Sequence, residues 1–117
     1  MSNFIIYHNP RSSKSRQTLE IIKKNGIEPQ VILYLENPPS PKELMKVLDY
    51  LNIEPREILR KSEQEYKTFN LKDKNIDNSE IVRIMTENPK LIERPIVVSR
   101  GKAIIGRPPE NVLALIN

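Results

Sequence analysis

The opening stretch, up to Tyr34, constrains the fold of this chain more than any other segment. Phe4-Ile5-Ile6-Tyr7 is a short apolar run stopped by Asn9-Pro10, which reads as a buried strand ending in a turn. Residues 13 to 25 follow as an amphipathic helix with Thr18, Leu19 and Ile22 on one face, and Gly26 is its C-terminal stop signal. Gln30 to Tyr34, with Val31-Ile32-Leu33 at its centre, is the second strand. Strand, helix and strand in that order favour a parallel pair joined by a right-handed crossover.

The rest of the chain is punctuated by proline. Asn37-Pro38-Pro39-Ser40-Pro41 breaks the backbone, and Ser40, Pro41 and Glu43 have the spacing of a helix cap, a first-turn proline and a capping-box acid. Leu44, Val47, Leu48 and Leu51 continue at helical spacing. Pro55 opens a short helix containing Ile58 and Leu59, and Asn78-Ser79-Glu80 leads into Ile81, Ile84 and Met85, so residues 40 to 88 read as mostly helical. Strand signals return at Pro95-Ile96-Val97-Val98 and Ala103-Ile104-Ile105, and Arg100-Gly101-Lys102 between them predicts a β-hairpin. Pro108-Pro109-Glu110 starts a last helix with Val112, Leu115 and Ile116 inward. The expected class is α/β in one domain over residues 1–117, because a chain of 117 residues fits the usual span of a single core.

Composition removes several chemistries. Cysteine is absent, so disulfides, thiolate metal sites and thiol catalysis are excluded for the chain as it stands. A single histidine, His8, leaves no multi-histidine metal site, and no metal is expected. No apolar run is long enough for a membrane span or a signal peptide, which predicts a cytoplasmic protein without a membrane partner. The formal net charge of +4 suits an anionic ligand, but the lysines are scattered and form no basic patch, so nucleic acid is not an expected partner.

Four segments carry possible chemistry. His8-Asn9-Pro10-Arg11-Ser12-Ser13-Lys14-Ser15-Arg16 joins the first strand to the first helix, where unpaired backbone N–H groups and the helix dipole favour an anion. The same residues also suit a plain serine cap with solvated basic neighbours. Arg94-Pro95 precedes a strand, and its proline reads as either a cis bond in a fixed turn or a trans proline limiting the strand. Arg107, in Gly106-Arg107-Pro108-Pro109, and Arg60, in Leu59-Arg60-Lys61, are each compatible with a solvated charge. Arginines gain meaning when several converge, because the guanidinium fork grips a tetrahedral oxyanion with two hydrogen bonds. His8 reads as a hydrogen-bonded structural residue or as a source of positive charge beside the first helix.

Taken together, these motifs resemble the glutathione/glutaredoxin-dependent arsenate reductases, the ArsC family. The resemblance runs from Tyr7-His8-Asn9-Pro10 through Leu33-Tyr34-Leu35-Glu36, Pro38-Pro39, Leu59-Arg60-Lys61 and Glu93-Arg94-Pro95-Ile96-Val97-Val98 to Gly106-Arg107-Pro108. It is nearest to the short, YfgD-like branch. It implies a thioredoxin-like fold with a mixed four-stranded sheet and a helical insertion over about 40–88. It also implies that Arg60, Arg94 and Arg107 bind the oxyanion, that Pro95 is cis, and that His8, Ser15 and Arg16 tune the first loop. No bound cofactor is implied. Arsenate or a similar oxyanion is the implied substrate, glutathione the co-substrate and glutaredoxin the protein partner.

The family pattern in the first loop is His-Asn-Pro-x-Cys-x-x-Ser-Arg, and this chain carries Ser12 where the cysteine nucleophile belongs. A thiol ionises near pH 8.5, and lower at a helix N-terminus or beside cations, whereas a serine hydroxyl stays protonated unless a base activates it. Oxygen cannot form the mixed disulfide that carries the electrons. The chain as it stands is therefore expected not to reduce arsenate. Three readings of Ser12 stay open: an engineered replacement of the cysteine, a natural oxyanion-binding relative without turnover, or a regulatory, protein-binding module resembling Spx.

Overall fold

The alternation of the first apolar run sets the sheet. In the computed structural model, which describes residues 3–117, strand β1 (Phe4–His8) buries Phe4, Ile6 and His8 and leaves Ile5 and Tyr7 half-buried. Strand β2 (Gln30–Leu33) pairs parallel to β1, with Ile6 opposite Val31. On the other side, strand β3 (Ile96–Ser99) runs antiparallel, with Ile6 opposite Val97, and strand β4 (Lys102–Ile105) pairs antiparallel to β3. The mixed four-stranded sheet therefore has the order β2-β1-β3-β4. The β3–β4 turn holds Arg100 and Gly101 at φ of 53° and 76°. Two successive left-handed residues suit a tight two-residue hairpin turn.

The chain divides into two compact units, one formed by the segment up to Asn37 with Arg94–Asn117 and the other by Pro38–Glu93. In the first, helix α1 (Ser13–Lys24) delivers Ile22 to a core with Phe4, Ile6, Val97 and Val112. β2 ends one residue earlier than expected because the Leu33 carbonyl accepts from the amides of Glu36 and Asn37, which turns the chain. The expected last helix begins as a 3-10 turn, Pro109–Val112, and becomes α-helical only over α5 (Leu113–Ile116).

The second unit is organised by two capped helices. Helix α2 (Pro41–Leu51) has the expected capping box: Ser40 Oγ accepts from the Glu43 amide at 3.1 Å, and the Glu43 carboxylate accepts from the Ser40 amide at 2.9 Å. Helix α4 (Asn78–Glu87), capped by Asp77, packs against α2 and buries Ile81, Val82, Ile84 and Met85. The segment between them is less helical than its sequence suggests. It holds a 3-10 turn, Pro55–Ile58, and the five-residue helix α3 (Gln64–Thr68), followed by turns. Arg56 explains why those turns persist: its guanidinium donates to the carbonyls of Leu71, Asp73 and Ile76 at 2.7, 2.6 and 3.0 Å. Among the described residues, no helix is long and apolar enough to cross a membrane.

Candidate active site

The β1 alternation that buries Phe4 and Ile6 also turns His8 inward, at the entrance to α1. His8 Nδ1 lies 2.6 Å from Ser15 Oγ, and the same hydroxyl oxygen accepts the Asn9 amide at 3.0 Å. Ser12 is the N-cap of α1: its Oγ accepts the Ser15 amide at 3.3 Å, and its own amide donates to the Asn9 carbonyl at 3.0 Å. Ser12 and Ser15 are both buried, at 6% and 0% exposure. Such burial is unusual for solvated cap serines, so the loop is a packed structure and not a loose cap.

Arg16 closes the loop from outside, donating from Nη1 to the Pro10 carbonyl at 2.8 Å. Its charge acts on His8. The His8 pKa is lowered from 6.5, first by burial and then by Arg16 and Lys23. Both causes disfavour the imidazolium, so of the two readings of His8 the hydrogen-bonded one fits the structure better. The loop draws its cationic character from arginine and lysine, and His8 contributes a hydrogen bond instead.

Arg94 and Arg107 meet in the same unit. The Arg94–Pro95 and Arg107–Pro108 peptides are both cis, the second one unforeseen. Arg107 Nη1 donates to the Arg94 carbonyl at 3.2 Å, and the Gly106 amide donates to the Pro95 carbonyl at 2.9 Å. Gly106 ties this pair to α1, since its carbonyl lies 3.4 Å from Thr18 Oγ1. A Cβ at Gly106 would collide with Thr18 Oγ1 and come within 2.8 Å of Pro95 Cγ. Only glycine lets the backbone between β4 and Arg107 approach α1 so closely.

Arg60 belongs to the second unit. A bridge between Leu59 and Ile92, with Arg60 N–H donating to Leu91 O and Glu93 N–H donating to Ile58 O, sets Arg60 beside Glu93. Arg60 Nη1 donates to Glu63 Oε2 at 2.6 Å, and Arg60 Nε is 3.8 Å from Glu93 Oε1. Sequence reasoning missed both carboxylates. The spacing of Arg60 and Glu63, three residues apart, was the available signal. Among the described residues, no cluster of three or more acidic or histidine side chains is arranged to hold a metal ion.

The family model for ArsC matches residues 7–115, a span that includes the first loop and all three arginines. The chain belongs to the ArsC family. It is 51% identical over 112 residues to the protein YfgD of Escherichia coli, an alignment covering 95% of this chain and 94% of that one. It is 44% identical over 116 residues to an arsenate reductase of Escherichia coli, covering 99% of this chain and 82% of the relative. An arsenate reductase from Vibrio cholerae superposes with a TM-score of 0.92 at 49% identity, over 95% of each chain. The fold is accordingly thioredoxin-like, as the sequence resemblance implied. Within the matched span the chain carries a hydroxyl, Ser12, at the head of α1.

Proposed function

We propose that this chain binds arsenate or a similar oxyanion through Arg60, Arg94 and Arg107, and that its ArsC chemistry requires a cysteine at position 12. With that cysteine, the thiolate attacks arsenic(V) and displaces an oxygen that leaves as water. Glutathione then supplies the second thiol, and two electrons pass to arsenic, releasing arsenite. The sulfurs end as a mixed disulfide that glutaredoxin reduces. Ser15, His8 and Arg16 hold the loop in the geometry this attack needs.

The observation that carries the reading is the environment of position 12. Its side chain is buried at the head of α1, in the unit that also contains Arg94 and Arg107. There a helix N-terminus and nearby cations favour a thiolate. The same environment does nothing comparable for a hydroxyl. His8 pairs with Ser15, while Ser12 Oγ accepts from the Ser15 amide, so among the described residues no base is placed to take the Ser12 proton. The Ser12 form is therefore an oxyanion binder without turnover.

Ser12→Cys is the direct test. Assayed with glutathione and glutaredoxin, it gains arsenate reduction that the parent lacks; no gain over the parent overturns the reductase reading. Binding is tested separately by titrating arsenate into the parent, Arg94→Ala and Lys102→Ala. Loss of a charge-assisted contact at Arg94 weakens binding by roughly tenfold or more, while Lys102→Ala leaves it unchanged. Equal affinities in both variants overturn the assignment of Arg94.

A further inference from the structure

We infer that Glu63 selects which oxyanions Arg60 accepts, favouring those that carry a proton, such as arsenate or phosphate, over fully ionised sulfate. The inference rests on Arg60 being an oxyanion ligand, as proposed above. The two side chains are similarly shielded, at 22% and 24% exposure, and joined at 2.6 Å. The Glu63 amide also donates to the Arg60 carbonyl at 3.2 Å, so both backbone and side chain hold the carboxylate in place. Glu93 adds a second carboxylate 3.8 Å from Arg60 Nε.

This arrangement leaves Arg60 Nη2 and Glu63 Oε1 without a hydrogen bond among the described residues. A guanidinium has five N–H donors, and an ionised carboxylate accepts only. An oxyanion docked on Nη2 therefore lies close to a fixed negative oxygen. Arsenate and phosphate retain an O–H near neutral pH and donate it to Oε1, turning repulsion into a charge-assisted hydrogen bond. Sulfate has no proton to donate and meets Glu63 as a bare like charge. In a partly shielded setting that repulsion is stronger than in water. Two simpler roles predict different behaviour: a plain competitor for Arg60 would hold back every anion equally, and a mere support for Arg60 would help every anion equally.

The experiment is an equilibrium titration of arsenate and of sulfate into the parent, Glu63→Gln, Glu63→Ala and Arg60→Ala at neutral pH. Both Glu63 variants gain sulfate affinity, by roughly tenfold, and gain less or none for arsenate, so the arsenate-over-sulfate ratio shrinks. An unchanged ratio in both Glu63 variants, with Arg60→Ala weakened for both anions, overturns the role of Glu63 and leaves Arg60 standing. Affinities in Arg60→Ala equal to the parent's overturn the reading of Arg60 itself, and the role of Glu63 with it.

Discussion

Every buried polar side chain among the described residues lies in the sheet-containing unit: His8, Ser12, Ser15, Thr18 and Ser99. The Pro38–Glu93 unit buries apolar side chains instead and leaves its charged groups exposed or half-buried, some of them paired, as Arg60 is with Glu63. All three glycines also fall outside Pro38–Glu93. The contrast separates two ways of building structure. The helical unit follows hydrophobic patterning and standard caps, and tolerates polarity only where water reaches it. The sheet unit accepts buried hydroxyls and close backbone approaches, which lower stability unless each one is partnered. Four of its five buried polar groups fall between His8 and Thr18, in the segment that holds position 12. That concentration is what a preorganised site requires.

The contrast breaks most easily at Gly106. Gly106→Ala drives a methyl group into Thr18 Oγ1 and Pro95 Cγ, both on buried residues. We expect a loss of about 3 kcal/mol, the upper end for overpacking, read as a lowered urea midpoint with unchanged slope. A near-neutral result would mean that the approach of α1 to the Pro95 turn is looser than it stands here. A matched pair of serines sharpens the comparison further. Ser15→Ala removes the acceptor of the Asn9 amide and the partner of His8 in a buried setting, and costs about 2 kcal/mol. Ser40→Ala breaks the exposed capping box of α2 and costs about 1 kcal/mol. Equal losses from the two would erase the distinction between the units.

How legible each region was follows the same division. The capping box at Ser40 and Glu43 and the β3–β4 hairpin are local patterns displayed within a few residues, and the parallel β1–β2 pair followed from the strand–helix–strand order. The turns after α3 were not legible, because the group that holds them, Arg56, lies well upstream of the carbonyls it binds. In the site, Ser12, Ser15 and His8 were visible as a cluster in one loop. The hydrogen bond that joins His8 to Ser15 was not, because it depends on the strand alternation continuing through the last residue of β1. The choice between the two readings of His8 was hidden for the same reason, since its charge is decided by burial and by Arg16 and Lys23. Glu93 was hidden by distance: only the bridge between Leu59 and Ile92 brings it to Arg60.

His8 offers the smallest effect and the sharpest sign. As the chain's only histidine it lies in the sheet unit, so Pro38–Glu93 has no group of its type titrating between acid and neutral pH. Its folded pKa is lowered by burial first, and the unfolded chain has the ordinary value near 6.5. The unfolded state therefore binds the proton more readily, and stability rises with pH wherever the two states differ. Above the unfolded value both states are neutral and the full stability is present. As pH falls through that value toward the lower folded one, stability is lost, and the loss levels off once His8 is protonated in both states. The size is below that of either serine variant. Two measurements check it: the imidazole proton shift of His8 in an NMR titration has a midpoint below 6.5, and in His8→Gln the urea midpoint varies less with pH over that window than in the parent. A midpoint at or above 6.5 would mean that burial and the neighbouring cations do not disfavour the imidazolium, and would remove the expected loss of stability on acidification.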